Sequence, residues 1–142
     1  MEMAKLARKH DEVPVGAVIV KEGKIIAKGY NRKEKRGCSV YHAEIVAIMK
    51  ACKKLKDWRL NDCDMYVTLE PCTMCAGAIV NSRISKLYFG AYDKKAGGVK
   101  SLYSITEDKR LNHRVEVFGG IMEDECSEIL TSYFKNKRNL KS

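Results

Sequence analysis

Two short motifs hold the residues of this chain that are best suited to chemistry. His42-Ala43-Glu44 comes first, and Pro71-Cys72-Thr73-Met74-Cys75 follows further along the chain. One imidazole and two thiols are typical zinc ligands, and the carboxylate of Glu44 is left over. A structural zinc site usually closes its tetrahedron with four Cys or His ligands, whereas a catalytic site uses three and leaves one position open for water. The set therefore indicates a hydrolytic zinc site.

The spacing of the ligands predicts how they meet. Cys72 and Cys75 are three positions apart, so their sulfur atoms would share one face in the first turn of a helix. Unpaired N–H groups and the helix dipole favour a thiolate at that place. We expect His42 on the first turn of a second helix. Both helices follow predicted strands, which is where ligand sites of open α/β sheets tend to lie.

Glu44 is two residues from His42, so a helix does not align the two side chains. We therefore expect the carboxylate to flank the metal rather than to bind it. Zinc lowers the pKa of its bound water to about 7, and a nearby carboxylate can accept that proton and deliver it to a leaving group. Two alternatives remain for the Cys-x-x-Cys pair. One is a thioredoxin-like redox pair. The other is a structural zinc site, whose fourth ligand would have to be found elsewhere, and the only other histidines are His10 and His113.

Hydrophobic periodicity predicts an α/β layered domain with a mixed sheet covered by helices. The predicted helices span residues 2–10, 41–55, 71–81 and 123–136, and the predicted strands span 16–21, 24–29, 65–69, 86–90 and 115–118. The second helix should present Ile45, Met49, Cys52 and Leu55 as its apolar face. Pro71 is well suited to the first position of the third helix. The length of 142 residues fits one domain.

Composition sets the class of protein and of partner. Hydrophobic residues make up 45% and charged residues 32%, which is typical of a globular chain. No apolar run is long enough for a membrane helix and no signal peptide is visible, so we expect a cytoplasmic protein without a membrane partner. Four cysteines outside the motif, Cys38, Cys52, Cys63 and Cys126, show no pairing logic for disulfides.

The net charge of +9 indicates a polyanionic partner. From Thr131 onward the chain carries Lys135, Lys137, Arg138 and Lys141 and no acidic residue. Acidic residues open the same segment at Glu123. This order would also suit the dipole of a helix, so the basic tail on its own leaves a purely structural explanation open.

At these motifs the sequence resembles the zinc-dependent cytidine and deoxycytidylate deaminase superfamily, whose signature is H-x-E followed by P-C-x-x-C. Within it the chain is most similar to the tRNA-specific adenosine deaminases of bacteria, over nearly its whole length. The segments that carry the resemblance are 12–18, 30–32, 42–44, 67–72, 74–79, 81–84, 89–93 and 112–116. The N-terminal helix is shorter than is usual in that family.

The resemblance implies a three-layer α/β/α cytidine-deaminase-like fold with a mixed, about five-stranded sheet. Residues 1–142 would form a single deaminase-type domain that includes a basic C-terminal helix, residues 123–138. One Zn²⁺ per subunit would be held by His42, Cys72 and Cys75, and Glu44 would move protons. The reaction implied is conversion of adenosine to inosine at wobble position 34 of a tRNA anticodon, with release of ammonia. The partners implied are an arginine tRNA, through its anticodon stem-loop, and a second subunit in a homodimer.

The resemblance also implies contacts with RNA. Asn31 and the main chain at Ala43 would read the flipped base. The remaining contacts would come from a loop and from the C-terminal helix, namely Asp93, Lys94, Lys95, Ser101, Tyr133, Phe134, Lys135 and Arg138. This composition suits single-stranded RNA, which is bound by aromatic stacking and backbone cations.

Other interpretations of these residues remain open. Asn31 could simply end a strand, and Asp93 could be an ordinary turn residue. One of Tyr133 and Phe134 is expected in the core, and Glu70 is expected to support the backbone at the helix entrance. The whole chain could instead deaminate a free base or nucleotide, such as guanine, cytosine or deoxycytidylate. A non-catalytic, zinc-stabilised RNA-binding module is a third possibility, although such a module has no need of Glu44.

Overall fold

A mixed five-stranded sheet forms the centre of the fold in the computed structural model, which describes residues 1–141. The strands are β1 (Gly16–Lys21), β2 (Lys24–Tyr30), β3 (Cys63–Leu69), β4 (Lys86–Ala91) and β5 (Glu116–Phe118). The helices are α1 (Glu2–Lys9), α2 (Lys33–Arg36), α3 (Ala43–Leu55), α4 (Thr73–Asn81) and α5 (Glu123–Lys141), with a 3₁₀ turn at Ile105–Glu107. The predicted fold class is confirmed, and each predicted element is present, β1 with its predicted bounds and the others with one or both ends shifted.

The strand order, β2-β1-β3-β4-β5, brings the two motif-bearing connections to one edge of the sheet. β1 runs antiparallel to both β2 and β3, whereas β3, β4 and β5 run parallel. A two-residue turn at Glu22 and Gly23 closes the first hairpin, with φ angles of 52° and 76°. Because β2 and β3 are both antiparallel to β1, they run in the same direction as each other and as β4, and the carboxyl ends of all three lie at one end of the sheet. The segments that follow them therefore meet.

Helices cover both faces of the sheet. Gly29 of β2 is paired with Ala17 of β1, and a Cβ atom at Gly29 would lie 2.5 Å from the carbonyl oxygen of Ala43 in α3. Gly16, the residue before Ala17 on β1, instead meets α1. Successive residues of a strand point to opposite faces, so α1 and α3 lie on opposite sides of the sheet. Within residues 1–141, no helix is long and apolar enough to cross a membrane.

The predicted apolar face of α3 is only partly right: Cys52 and Leu55 pack against the core, but Met49 does not. The residues that α3 buries are Val46, Ala47, Ile48 and Ala51, together with Ala43 and Glu44 at its start. Met49, predicted to face the core, is 47% exposed. The alanines allow the helix axis to approach Gly29 of the sheet closely, and this small-residue contact outweighs burial of the longer Met49 side chain.

Other differences concern the ends of elements. Pro71 was predicted at the first position of the third helix, but α4 begins at Thr73, after an extended residue at Cys72. The sequence pattern also missed α2, a single turn that ends at Gly37 in the left-handed conformation. Helix α5 continues to Lys141, beyond the predicted end at Asn136.

Candidate metal and catalytic site

The predicted metal ligands lie at the starts of two helices rather than inside them. His42 is the residue before α3, with an extended backbone at φ −75° and ψ 156°. Cys72 occupies the same position before α4, with φ −72° and ψ 178°. Cys75 lies in the first turn of α4 and is buried. The prediction that His42 and Cys72 belong to the first helical turns is therefore wrong by one residue. The extended backbone turns both side chains toward each other across the gap between the helices.

The three donor atoms converge at distances that suit one tetrahedral ion. The Nδ1 atom of His42 lies 3.6 Å from the Sγ atom of Cys72 and 3.5 Å from that of Cys75. All three ligand atoms lie within 4.8 Å of one another. Typical zinc–sulfur and zinc–nitrogen bonds, about 2.3 and 2.0–2.1 Å, separate sulfur from nitrogen by about 3.6 Å at a tetrahedral angle. The geometry and the soft donor set therefore fit a zinc-sized cation.

The two thiols are not equivalent. A hydrogen bond with Cys75 lowers the pKa of the Cys72 thiol to about 4, and His42 acts in the same direction. The same hydrogen bond raises the pKa of the Cys75 thiol, and burial raises it further. A hydrogen bond with Cys72 raises the pKa of His42. Cys72 thus carries negative charge at neutral pH and supplies a thiolate for a metal.

Glu44 lies beside this cluster and is almost completely buried, with 4% of its surface exposed. Burial raises the pKa of its carboxyl group from 4.5 to about 7, although His42 and the backbone act in the opposite direction. A buried carboxyl group with a pKa near neutrality can accept and release a proton under working conditions. Glu44 is therefore suited to proton transfer beside the three ligands.

Asn31 lies at the end of β2, where its side chain is held by main-chain groups. Its Nδ2 group donates to the carbonyl oxygen of Val13 at 3.4 Å, and its Oδ1 atom accepts from the N–H group of Lys33 at 3.2 Å. The N–H group of Arg32 donates to the carbonyl oxygen of Tyr41 at 2.9 Å. Asn31 is thereby fixed next to the segment that carries His42 and Ala43.

A family model for MafB19-like deaminases matches residues 1–138 of this chain. The tRNA-specific adenosine deaminase of Bacillus subtilis is 46% identical over 138 residues, which cover 97% of this chain and 86% of that protein. The enzyme of the same name from Aquifex aeolicus is 50% identical over 136 residues, covering 96% and 89%. The chain belongs to the tRNA-specific adenosine deaminase family. Two solved structures extend this family relationship to the fold.

One comes from work on A-to-I editing by tRNA:A34 deaminases at the wobble position of transfer RNA. It is 45% identical to this chain with a TM-score of 0.87, covering 91% of this chain and 94% of that one. The other, a guanine deaminase from Nitrosomonas europaea, is 26% identical with a TM-score of 0.78, covering 93% and 80%. The family fold is thus shared with an enzyme named for a free base.

Five of the ten residues predicted to contact RNA line one open groove of about 880 Å³. The groove lies between the loop that follows β4 and helix α5. Those predicted residues are Asp93, Lys94, Lys95, Phe134 and Arg138. Phe134 is 45% exposed, whereas Tyr133 is buried, so one of this aromatic pair belongs to the core as expected. Ser101, also predicted as an RNA contact, is not among the lining residues and binds Glu70 instead.

Sequence reasoning missed two side chains around the site, Glu12 and Lys137, and predicted only part of the role of a third, Glu70. Glu12 is buried and accepts the N–H groups of Glu34 and Lys35 at 2.9 and 2.7 Å, which fixes α2 beside Asn31. Lys137 lines the groove and forms an ion pair with Asp11 at 2.9 Å. Glu70 gathers the loop after β4, a role for which only support of the helix entrance was expected. Their partners are distant in sequence, and local patterns carry no signal for such contacts.

Proposed function

We propose that this chain hydrolyses the exocyclic amine of adenosine at wobble position 34 of a tRNA anticodon, giving inosine and ammonia. The observation that carries the proposal is the convergence of His42, Cys72 and Cys75 around one point, beside the buried carboxyl group of Glu44. Two relatives that share 46% and 50% identity carry the name tRNA-specific adenosine deaminase, which supports the choice of substrate.

Zinc is the metal that the donor set favours, with one ion per subunit. The Nδ1 atom of His42 and the Sγ atoms of Cys72 and Cys75 would hold it, because one imidazole and two thiols match its preferences and the donor distances fit a tetrahedron. When bound, the metal supplies Lewis acidity that makes a water molecule nucleophilic near neutral pH. A three-residue set also leaves one coordination position for that water.

Glu44 is the residue to which we assign proton transfer. Its carboxylate would accept a proton from the attacking water and then donate a proton to the amine nitrogen that leaves as ammonia. Burial keeps this carboxyl group away from bulk solvent, and its pKa of about 7 allows both steps at neutral pH. The balance is one water consumed and one ammonia released for each inosine formed.

The RNA would be bound outside the metal site. We assign the flipped adenine to Asn31 and the main chain at Ala43, and the flanking anticodon nucleotides to the groove beside α5. What supports this assignment is the presence of three exposed cations, Lys94, Lys95 and Arg138, with the half-exposed ring of Phe134. Aromatic stacking together with backbone cations is the usual way to bind unpaired nucleotides. Ser101 lies at the end of the loop that carries Lys94 and Lys95, and we assign it the role of anchoring that loop.

Four further features belong to the proposal. The chain would work as a homodimer, and its substrate would be an arginine tRNA. Residues 1–142 would fold as a single domain, and the protein would act in the cytoplasm. The homodimer and the arginine tRNA rest on the family resemblance, the single domain on that resemblance and on chain length, and the cytoplasmic location on the composition of the sequence.

A deaminase of a free base is the second candidate, because a guanine deaminase shares this fold with a TM-score of 0.78. The two functions differ in what they demand of the groove. An RNA editor needs the cations of the groove to bind phosphates, so its activity must fall as the salt concentration rises. The activity of a free-base enzyme depends little on salt.

A zinc-stabilised binding module without catalysis is the third candidate. It would leave the buried carboxyl group of Glu44 without a role.

A substrate panel separates these functions. Ammonia and inosine would be measured with an anticodon stem-loop that carries adenosine at the wobble position, in parallel with free adenosine, cytidine and guanine. We expect turnover of the stem-loop alone. Turnover of guanine without turnover of the stem-loop would contradict the RNA assignment. If the zinc-loaded protein turned over none of the substrates, the binding module would be favoured.

A further inference from the structure

Glu70 is a charged side chain buried between the metal-ligand segment and the loop that borders the groove. It lies between the last residue of β3 and the pair Pro71-Cys72, and 2% of its surface is exposed. Burying a carboxylate is costly unless hydrogen bonds replace its water. The partners of Glu70 therefore indicate what its charge does.

All the hydrogen bonds to the Glu70 carboxylate come from a single loop, residues 93–101. The Oε1 atom accepts the N–H group of Asp93 at 3.0 Å and the hydroxyl group of Ser101. The Oε2 atom accepts the N–H groups of Val99, Lys100 and Ser101 at 3.2, 2.8 and 2.9 Å. These donors lie at the two ends of the loop. The carboxylate thus closes the loop on itself at its base.

The same loop also lies directly against the metal-ligand segment. Gly97 forms an isolated β-bridge with Cys72, and the N–H group of Gly98 donates to the carbonyl oxygen of Pro71 at 2.8 Å. A Cβ atom at Gly97 would lie 2.4 Å from the Cδ atom of Glu70, and one at Gly98 would lie 2.9 Å from the Cα atom of Thr73. Only residues without a side chain allow this approach.

We propose that Glu70 is a positioning residue that holds loop 93–101 in a fixed place relative to the metal ligand Cys72. Asp93, whose N–H group Glu70 binds, is followed at once by Lys94 and Lys95, and all three line the groove. One carboxylate thereby couples the position of the RNA-facing cations to the position of the metal site. The inference rests on the proposed function, because the groove must bind the anticodon loop for its placement to matter.

Glu70→Gln tests this role with almost no change in side-chain volume. An amide retains one acceptor oxygen but presents an NH₂ group to N–H donors, so the hydrogen bonds to one side of the loop are lost. The Michaelis constant for the wobble stem-loop should rise about tenfold or more, while kcat changes by less than about threefold and zinc remains bound. A residue that only stabilised the fold would not separate these two constants.

Glu107→Gln is the matched control. Glu107 forms an ion pair with Lys100 of the same loop at 2.7 Å, but this carboxylate is 42% exposed and its ion pair is with a side chain rather than with the loop backbone. Its replacement should leave the Michaelis constant within about twofold of the native value, since exposed ion pairs contribute little.

Hydrogen exchange tests the same contact without any enzymatic activity. In Glu70→Gln the amide oxygen can replace only one of the two carboxylate oxygens. Either the N–H group of Asp93 or those of Val99, Lys100 and Ser101 should therefore exchange at least about tenfold faster than in the native protein, while those of β3 and β4 stay unchanged. If Glu70→Gln does not fold, Ser101→Ala removes one hydrogen bond and should accelerate exchange at the Val99 and Lys100 amides.

The two arms separate the possible failures. Native protein that edits the stem-loop, together with folded, zinc-loaded Glu70→Gln of unchanged Michaelis constant, would overturn the positioning role and leave the proposed function standing. A loss confined to kcat would also overturn it. Native protein that fails to edit, with faster loop exchange in the variant, would remove the proposed function while the loop contact itself stands. Unchanged exchange in both variants would contradict the contact.

Discussion

The Nδ1 atom of His42 lies 3.5 Å from the Sγ atom of Cys75, although the two residues are 33 positions apart in the chain. The contact joins the start of α3 to the first turn of α4, and no hydrogen-bond ladder links those two helices. A metal ion at this point would therefore connect two elements as well as supply reactivity. The ligand set should consequently affect both activity and stability.

Replacement of Cys75 by Ala should abolish both zinc binding and deamination, because two protein ligands hold the metal poorly and leave its geometry undefined. Cys63→Ala is the control, since Cys63 is equally buried but lies outside the ligand set. It should keep one zinc per subunit and near-native activity, at a cost of about 1 kcal/mol in stability for the lost buried sulfur. Metal analysis and turnover on the wobble stem-loop would be measured together. Full activity in zinc-free Cys75→Ala would contradict the site.

Removal of one groove cation should weaken RNA binding in a salt-dependent way. Arg138 lines the groove and is exposed, so Arg138→Ala should lower the magnitude of the salt slope of binding by about 0.7, the value expected for one lost contact with a single strand. Lys24→Ala removes an exposed lysine that does not line the groove and should leave the slope unchanged. Binding of the stem-loop across a series of salt concentrations would measure both. Equal slopes for the two variants would place the RNA elsewhere.

Two glycine-to-alanine changes should shift stability in opposite directions. At Gly29 an added Cβ atom would lie 2.5 Å from the carbonyl oxygen of Ala43 and 2.7 Å from the amide nitrogen of Ala47, so α3 must move away from the sheet. We expect a loss of about 1–3 kcal/mol. At Gly77, inside α4, an added Cβ atom meets nothing within 4 Å, and alanine should add up to about 1 kcal/mol through helix propensity. Urea unfolding with zinc present would measure the free energy of unfolding of both variants. A stabilised Gly29→Ala would contradict the close packing of α3.

Two buried thiols should make the protein less stable in alkaline solution. Burial raises the pKa values of Cys63 and Cys126 above the ordinary thiol value of 9.0. Above pH 9.0 the folded state keeps protons that the unfolded state has lost. The stabilisation that these two thiols contribute is therefore fully present below pH 9.0 and is lost as the pH rises through their folded-state pKa values. The variant with both cysteines replaced by Ala should lose less stability than the native protein between about pH 8 and pH 10. Parallel losses would show that these thiols do not titrate differently on folding.

Much of the fold could be predicted because the signals are local. The short apolar runs in residues 16–21 and 24–29, with Glu22-Gly23 between them, predict a hairpin without tertiary information. The metal ligands could also be predicted from the sequence, because a Cys-x-x-Cys pair after a strand constrains where its sulfur atoms lie. The start of α4 was harder to predict, because a proline such as Pro71 is compatible both with the first helical position and with the residue before the cap.

The remaining features depend on contacts between distant segments. The buried face of α3 follows from the close approach of Gly29, whereas the sequence alone favoured the larger Met49 as a core residue. The groove combines a loop after β4 with the far end of α5. Glu70 binds donors about 23–31 positions away, which no local period records. Such contacts are fixed by the parallel pairing of β3 with β4.

Comparison of Glu44→Gln with the native protein, both loaded with zinc, tests the central claim most directly. The reaction would be followed as inosine formation in the wobble-adenosine stem-loop, with metal content and unfolding measured on the same samples. We expect native protein to form inosine and the variant to retain its zinc and fold while losing at least about 10²-fold in rate, as removal of a general acid–base predicts. Native-like turnover by zinc-loaded Glu44→Gln would contradict the account.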